Sequence, residues 1–209
     1  MENILLKLSK LPYFKTSNLE AFSSSLKKES VYRKISRWHK KGAIIKLKNG
    51  FYVAKEYKER HSADLNYFYY LANILRYPSY VSGVFVLQNS GVLADVTAPI
   101  TSMTTKTTRK YYSKLGNFVY YSISPKLYIG YERLLYNNEP IYVASLAKAL
   151  FDYLYIKYYK TKMLPEVMAK RERLDISGFS KNNIAEFKKY CQMSNNKALI
   201  ELASKIFAA

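Results

Sequence analysis

Residues 27–54 read KKESVYRKISRWHKKGAIIKLKNGFYVA. Val31, Ile35 and Trp38 recur at i, i+4 and i+7, which at 3.6 residues per turn makes one apolar stripe. Arg33, Ser36, Arg37 and Lys40 fall on the opposite side, flanked by Ser30, Lys34 and Lys41. Gly42 then ends the helix, as a residue free to take positive φ does. Residues 44–48 predict a strand and residues 51–53 its return. Between them Asn49-Gly50 predicts a two-residue turn in which both positions take φ > 0. A basic helix running into a basic hairpin is the working half of a winged helix-turn-helix. That arrangement fits a helix into the DNA major groove with a hairpin beside it.

Between residues 27 and 48 there are nine Lys and Arg against the single acid Glu29. Arg33 and Arg37, with Ser30, are placed to read base edges, because a guanidinium bonds guanine through two donors. Lys40, Lys41, Lys46 and Lys48 are placed to neutralise phosphates, with Lys27 and Lys28 near the helix start. Lys34 and Asn49, on the helix flank and at the hairpin turn, complete the candidate contacts. A charged helix face can also be merely solvated. Here a one-sided basic helix coincides with an adjacent basic hairpin, and that coincidence favours a polyanionic partner.

Outward from this stretch, residues 3–10 predict a short amphipathic helix with Ile4, Leu5 and Leu8 on one face. Ser17-Asn18-Leu19-Glu20 has the capping-box pattern that starts a second helix, with Leu19, Phe22 and Leu26 as its apolar contacts. Three helices and a hairpin make a DNA-binding domain over residues 1–56. The rest, 57–209, predicts an α+β domain with a small mixed or antiparallel sheet and a helical C-terminal tail. Residues 55–61 form the polar link. A helix follows over 64–75, then a short strand at 80–82 and a short helix to Gly91. Strands are predicted at 100–106, 117–123, 128–131 and 139–143. Ser145 caps a helix over 146–159, and tail helices are placed near 165–174, 180–191 and 195–207.

The 209 residues carry 34 Lys and Arg against 15 Asp and Glu, a formal net charge of +19. Residues 1–58 hold 14 of the basic and 4 of the acidic groups, so the excess is densest in the module that the helix pattern marks. With 49% hydrophobic residues the chain is globular, not disordered. No apolar run approaches the roughly 18 residues a membrane span needs, and the N-terminus lacks a signal-peptide pattern. One cysteine, Cys191, excludes an intramolecular disulfide framework and suits a reducing cytoplasm. In its late helical pattern it is a small packing residue.

Little points to an enzyme. His39 and His61 are the only histidines, and no Cys/His spacing suggests zinc. No glycine-rich phosphate loop is present, and no cofactor is expected. Asp152, four residues after Lys148, reads as an ordinary surface or helix-stabilising pair before it reads as catalytic. Ser82, Thr101, Ser102, Thr104 and Thr105 read as strand-face hydroxyls. The tyrosines Tyr67, Tyr69, Tyr70, Tyr111, Tyr112, Tyr120 and Tyr121 read as core and sheet face before they read as stacking platforms for single strands.

Four ordered segments carry a resemblance. ISRWHKKGAIIKLKNGFYVA (35–54) resembles the N-terminal winged-helix signature of the AbiEi-type antitoxins. SYVSGVFVLQNSGVL (79–93), ITSMTTKTTRKYYSKLGNFVYYSI (100–123) and VASLAKALFDYLYI (143–156) are similar to that family's later motifs, in the same order. Leu146 and Ala147 stand where the family often has Pro and Glu, and the last fifty residues carry no nameable motif. The resemblance implies a cytoplasmic antitoxin of an abortive-infection toxin–antitoxin system. It would bind inverted repeats in double-stranded promoter DNA and repress its own operon. Its C-terminal domain would counteract a cognate nucleotidyltransferase toxin. Inverted repeats would place two copies on the DNA. The alternative is a transcriptional regulator, or a protein- or RNA-interaction module, with basic faces and no toxin partner.

Overall fold

The computed structural model describes residues 2–22, 28–94, 99–159, 163 and 165–207. Its first 54 residues form helices α1 (Glu2–Leu8), α2 (Thr16–Phe22) and α3 (Lys28–Lys40) and strands β1 (Phe14–Lys15), β2 (Ile44–Lys48) and β3 (Phe51–Ala54). The strands make an antiparallel sheet in the order β1-β3-β2. Val31 and Ile35 of α3 bury against Leu8, Phe14, Leu19, Ile44 and Tyr52, with Trp38 packed at the margin of this small core. The apolar stripe of the basic helix is thus its seat. Lys27 and Leu26 lie outside the described residues, as do the side chains of Lys28 and Phe22.

The helix ends as the sequence predicts. Gly42 takes φ +70°, its N–H donates to His39 O at 3.0 Å, and the Ala43 N–H reaches back to Trp38 O at 2.9 Å. These two bonds satisfy carbonyls that the last turn leaves open. Two local expectations need correction. Helix α2 starts at Thr16, so Ser17 is already inside it; Asn18 Oδ1, not a Ser17 hydroxyl, meets the preceding chain by accepting from Lys15 N–H at 2.6 Å. In the Asn49-Gly50 turn only Gly50 has positive φ, at +78°. The register shifts between Lys46 and Lys48, and such a bulge supplies twist that a tight turn would otherwise take from two left-handed residues. Two consecutive left-handed residues do occur at Asn137 and Asn138 (φ +48° and +64°), which the sequence pattern did not single out.

Residues beyond 54 form a six-stranded mixed sheet with helices, so the molecule is α+β. In chain order the elements are α4 (Lys55–Arg60), α5 (Leu65–Leu75), β4 (Tyr80–Val81), α6 (Val84–Asn89), β5 (Ile100–Thr104), β6 (Arg109–Ser113), β7 (Gly116–Ser122), β8 (Tyr131–Tyr136), β9 (Glu139–Ala144), α7 (Leu146–Tyr158), α8 (Pro165–Arg171), α9 (Lys181–Met193) and α10 (Lys197–Ile206). The strand order is β6-β7-β5-β4-β9-β8, parallel at β5–β7 and β4–β9 and antiparallel elsewhere. Asp64 caps α5 by accepting from Asn66 N–H and Tyr67 N–H. Ser145 caps α7 through Lys148 N–H, and Ser180 and Asn183 form a capping box on α9. The strand predicted at 128–131 lies instead at Tyr131–Tyr136, and β6 was not anticipated at all. The polar link is a helix whose Tyr57 is buried and whose hydroxyl lies 3.0 Å from that of Tyr136.

The small sheet has two buried faces. Ile44 and Tyr52 turn toward the helices α1–α3, whereas Leu47, Val53 and Ala54 belong to the large core shared with α5, α7 and the six-stranded sheet. Strand β2 runs beside β6, and Ser113 Oγ donates to Lys46 O at 2.9 Å.

Candidate nucleic-acid interface

Helix α3 has 13 residues and so presents a rod of about 20 Å. On its outward arc Tyr32, Arg33, Ser36, Arg37, Lys40 and Lys41 are exposed, while Ser30 and Lys34 are half-buried at its flanks. Arg33 and Arg37 are one turn apart, roughly 6 Å along the axis, close to two base-pair steps of a duplex. Among the described residues the ion pairs are Lys55–Glu59, Lys148–Asp152, Lys157–Glu172, Lys205–Glu166 and Lys205–Glu201. None of them draws on α3 or its hairpin, so among the described residues the helix's cations have no ion-paired acid. Tyr32, exposed by 51%, belongs to the same arc and was not among the candidates. Its place midway between Val31 and Arg33 on the helix wheel is the signal that could have found it.

The basic surface continues past the helix. A groove of about 810 Å³ lies between β2 and β6, lined by His39, Lys46, Lys48, Asn49, Phe51, Arg109, Lys110, Tyr112 and Lys114, among others. It holds five Lys and Arg side chains and no carboxylate. Arg109, Lys110 and Lys114 come from the unanticipated strand and the turn after it. Tyr112, 72% exposed, stands beside them, whereas Tyr67, Tyr69, Tyr70 and Tyr120 are core residues. Tyr111 and Tyr121 are half-buried.

Lys46 and Asn49 are exposed. Lys48 is placed differently. Its Nζ donates to Leu75 O at 2.5 Å and sits 4.0 Å from the Phe51 ring centre. Burial, with Lys15, Arg76 and Lys106 nearby, pulls its pKa down. Lys48 fastens the hairpin to the large unit and is not free for a phosphate.

Lys148 and Asp152 are not a surface pair. Both side chains are fully buried, with Nζ 2.7 Å from Oδ1. Asp152 Oδ2 also accepts from Ser82 Oγ at 2.7 Å and Tyr80 OH at 3.1 Å. Burial pushes the Asp152 carboxyl up against the pull of Lys148, and it pushes the Lys148 amine down. The pair joins α7 to β4 and is closed off from solvent. Ser82, Thr101, Ser102 and Thr104 are buried with it, as sheet residues and not as an exposed hydroxyl face. Cys191 is buried, and burial raises its thiol to about 12, so it packs and does not react.

Among the described residues there is no group of three His, Cys, Asp or Glu able to hold a metal ion. His39 Nδ1 lies 3.3 Å from Ile44 O, and His61 stacks on Tyr57 with ring centres 4.0 Å apart. No described helix is long and apolar enough to cross a membrane. No protein-family model and no curated protein matches this chain.

Proposed function

We propose that this protein binds double-stranded DNA through a winged helix-turn-helix formed by residues 1–56. Helix α3 enters the major groove, with Arg33, Arg37 and Ser30 against base edges. Lys40, Lys41, Lys46 and Lys34 meet phosphates, and the groove beside β6 offers Arg109, Lys110 and Lys114 to the flanking backbone. The observation that carries this is the outward arc of α3: an exposed row of cations with no ion-paired acid among the described residues, on a helix whose other side is its own seat. The helix–strand order and the antiparallel hairpin are those a winged domain needs.

The test is a gel shift with duplex from the chain's own upstream region, across a salt series. Affinity should fall steeply with salt, because each phosphate neutralised releases counterions. A flat salt series, or unchanged affinity in both Arg37→Ala and Lys40→Ala, would remove α3 from the interface.

The four sequence resemblances support a second part of the proposal. The protein would be a cytoplasmic antitoxin that represses its own operon through inverted repeats, and the larger unit would counteract a nucleotidyltransferase toxin encoded beside it. Co-expression with the neighbouring reading frame tests this: relief of toxicity supports it. A complex formed without DNA affinity would favour a protein- or RNA-interaction module instead.

A further inference from the structure

A second cavity, of about 390 Å³, opens where β1 and β3 meet α5 and β9. Its volume is that of a small-molecule site. Tyr13, Phe51, Tyr70, Tyr77 and Tyr142 wall it. The Tyr13 ring centre lies 5.9 Å from that of Phe51 and 6.0 Å from that of Tyr70. Tyr70 is only 7% exposed, yet its hydroxyl makes no hydrogen bond among the described residues. Tyr67, Tyr80 and Tyr120 are as deeply placed, and each donates one. A buried phenol normally finds a partner. Glu139 also lines the cavity, exposed and in no ion pair among the described residues. The pKa of the Tyr13 and Tyr70 hydroxyls is raised, by burial first and by the charge of Glu139 among their neighbours, so all three groups face one space.

The other charges around this space are positive. Lys15 lines the cavity, and its Nζ lies 5.2 Å from the Phe51 ring centre; Lys48 Nζ lies 4.0 Å from the same ring. Lys106 Nζ donates to Tyr77 O at 2.6 Å, and Arg76 donates to Thr107. None of these four cations is ion-paired among the described residues. A cationic ligand would suit the rings and the carboxylate but would meet four like charges. A bare phosphate would leave the aromatic walls unused. We propose that the cavity binds a nucleoside monophosphate whose base carries an amino group. The base packs against the rings, its amino group donates to Glu139, and a ring nitrogen accepts from the Tyr70 hydroxyl. The phosphate meets Lys15, with Lys48 and Lys106 behind it. None of these residues belongs to α3, so the site stands or falls apart from that helix's role.

Calorimetric titration of the full chain with AMP should show one site with a Kd of roughly 10–1000 μM. IMP has a carbonyl where AMP has the amino group, and adenosine lacks the phosphate. Each should bind about tenfold more weakly or worse. Lys15→Ala should weaken AMP and leave adenosine unchanged. Glu139→Gln should narrow the gap between AMP and IMP, because an amide can also donate to a carbonyl. Arg37→Ala should change neither. Both cavity variants alter exposed side chains, and circular dichroism confirms that they fold. A 5′-phosphorylated single strand that displaces AMP supports the site with a strand end as its source; a strand that does not supports it with the free nucleotide. No binding of AMP below about 5 mM overturns the proposal. So do AMP, IMP and adenosine bound alike, or folded variants that leave both gaps unchanged.

Discussion

Replacing Asp152 with Ala removes one end of an ion pair that has no access to solvent. The carboxylate takes Lys148 Nζ at 2.7 Å, Ser82 Oγ at 2.7 Å and Tyr80 OH at 3.1 Å. Without it the ammonium is left among aromatic rings, 4.5 Å from the Phe151 centre and 5.2 Å from that of Tyr190. Truncating one partner of such a pair costs about 3–5 kcal/mol, because the other charge stays buried and uncompensated. An exposed i, i+4 pair would lose only about 0.3–0.5 kcal/mol. For a chain of this length each kcal/mol moves Tm by roughly 2–4 °C, so the fall should be on the order of 6–20 °C. Differential scanning calorimetry reads this directly. Lys148→Met/Asp152→Leu removes both charges and keeps the volume, and it should recover most of the loss. A fall of less than about 2 °C, or a double variant no more stable than Asp152→Ala, would refute the account of the pair as a buried tie between α7 and β4.

Other outcomes follow from the same geometry. Arg37→Ala should cost roughly 1–3 kcal/mol of DNA binding and flatten sequence preference, whereas Lys46→Ala should weaken all duplexes alike and lower the salt slope by about 1; competition gel shifts with scrambled duplex separate the two. Lys48→Ala should instead lower stability and leave the salt slope unchanged, since its ammonium is bound to Leu75 O. Glu172 is pulled up by burial, but donors from Lys157, Tyr153 and Tyr158 outweigh this and hold its carboxyl below the usual range. The stability it adds is therefore complete above the ordinary glutamate pKa of about 4.3 and is lost as pH falls through the lower folded value. In urea melts the gap between wild type and Glu172→Gln should stay constant near neutrality and narrow on acidification; a widening gap contradicts the sign. Gly130 has φ +76°, and a Cβ there would collide with the Tyr190 hydroxyl and sit 3.1 Å from Lys148 Cγ. Gly130→Ala should therefore destabilise by at least about 1–2 kcal/mol, the strain of a left-handed residue alone, as read by chemical denaturation.

The elements with local reasons were legible in the sequence. Helix α3 has its stripe, Gly42 its stop, and α5, α7 and α9 their caps at Asp64, Ser145 and Ser180. What failed depended on pairing and burial that no local residue pattern marks. Strand β6, RKYYS, is an edge strand with no β-branched residue; it is a strand because β7 pairs with it and β2 lies alongside. Strand β8 carries Glu132 and Arg133 beside two leucines, so no alternation betrays it. Spacing alone placed Lys148 and Asp152 together, but their burial is set by Tyr80 and Ser82, about seventy residues earlier. Lys48 looked like a phosphate ligand because nothing near it in sequence shows Leu75 O waiting for it. Of the candidate interface, the basic face of α3 was readable and the groove at β6 was not, since that groove exists only where two sheets meet.

The hairpin that buries Ile44 on one face and Leu47 on the other bears on how the chain is made. Synthesis delivers the basic helix α3 first, yet the second face of its hairpin has nothing to lie on until α5 and β6 have been translated. Until then Leu47, Val53 and Ala54 face water. A ribosome stalled midway would thus release a chain whose basic helix lacks a firm platform. On the proposed role of α3, the order of translation would tie DNA binding to chains in which α5 and β6 are already in place, a dependence written into one strand.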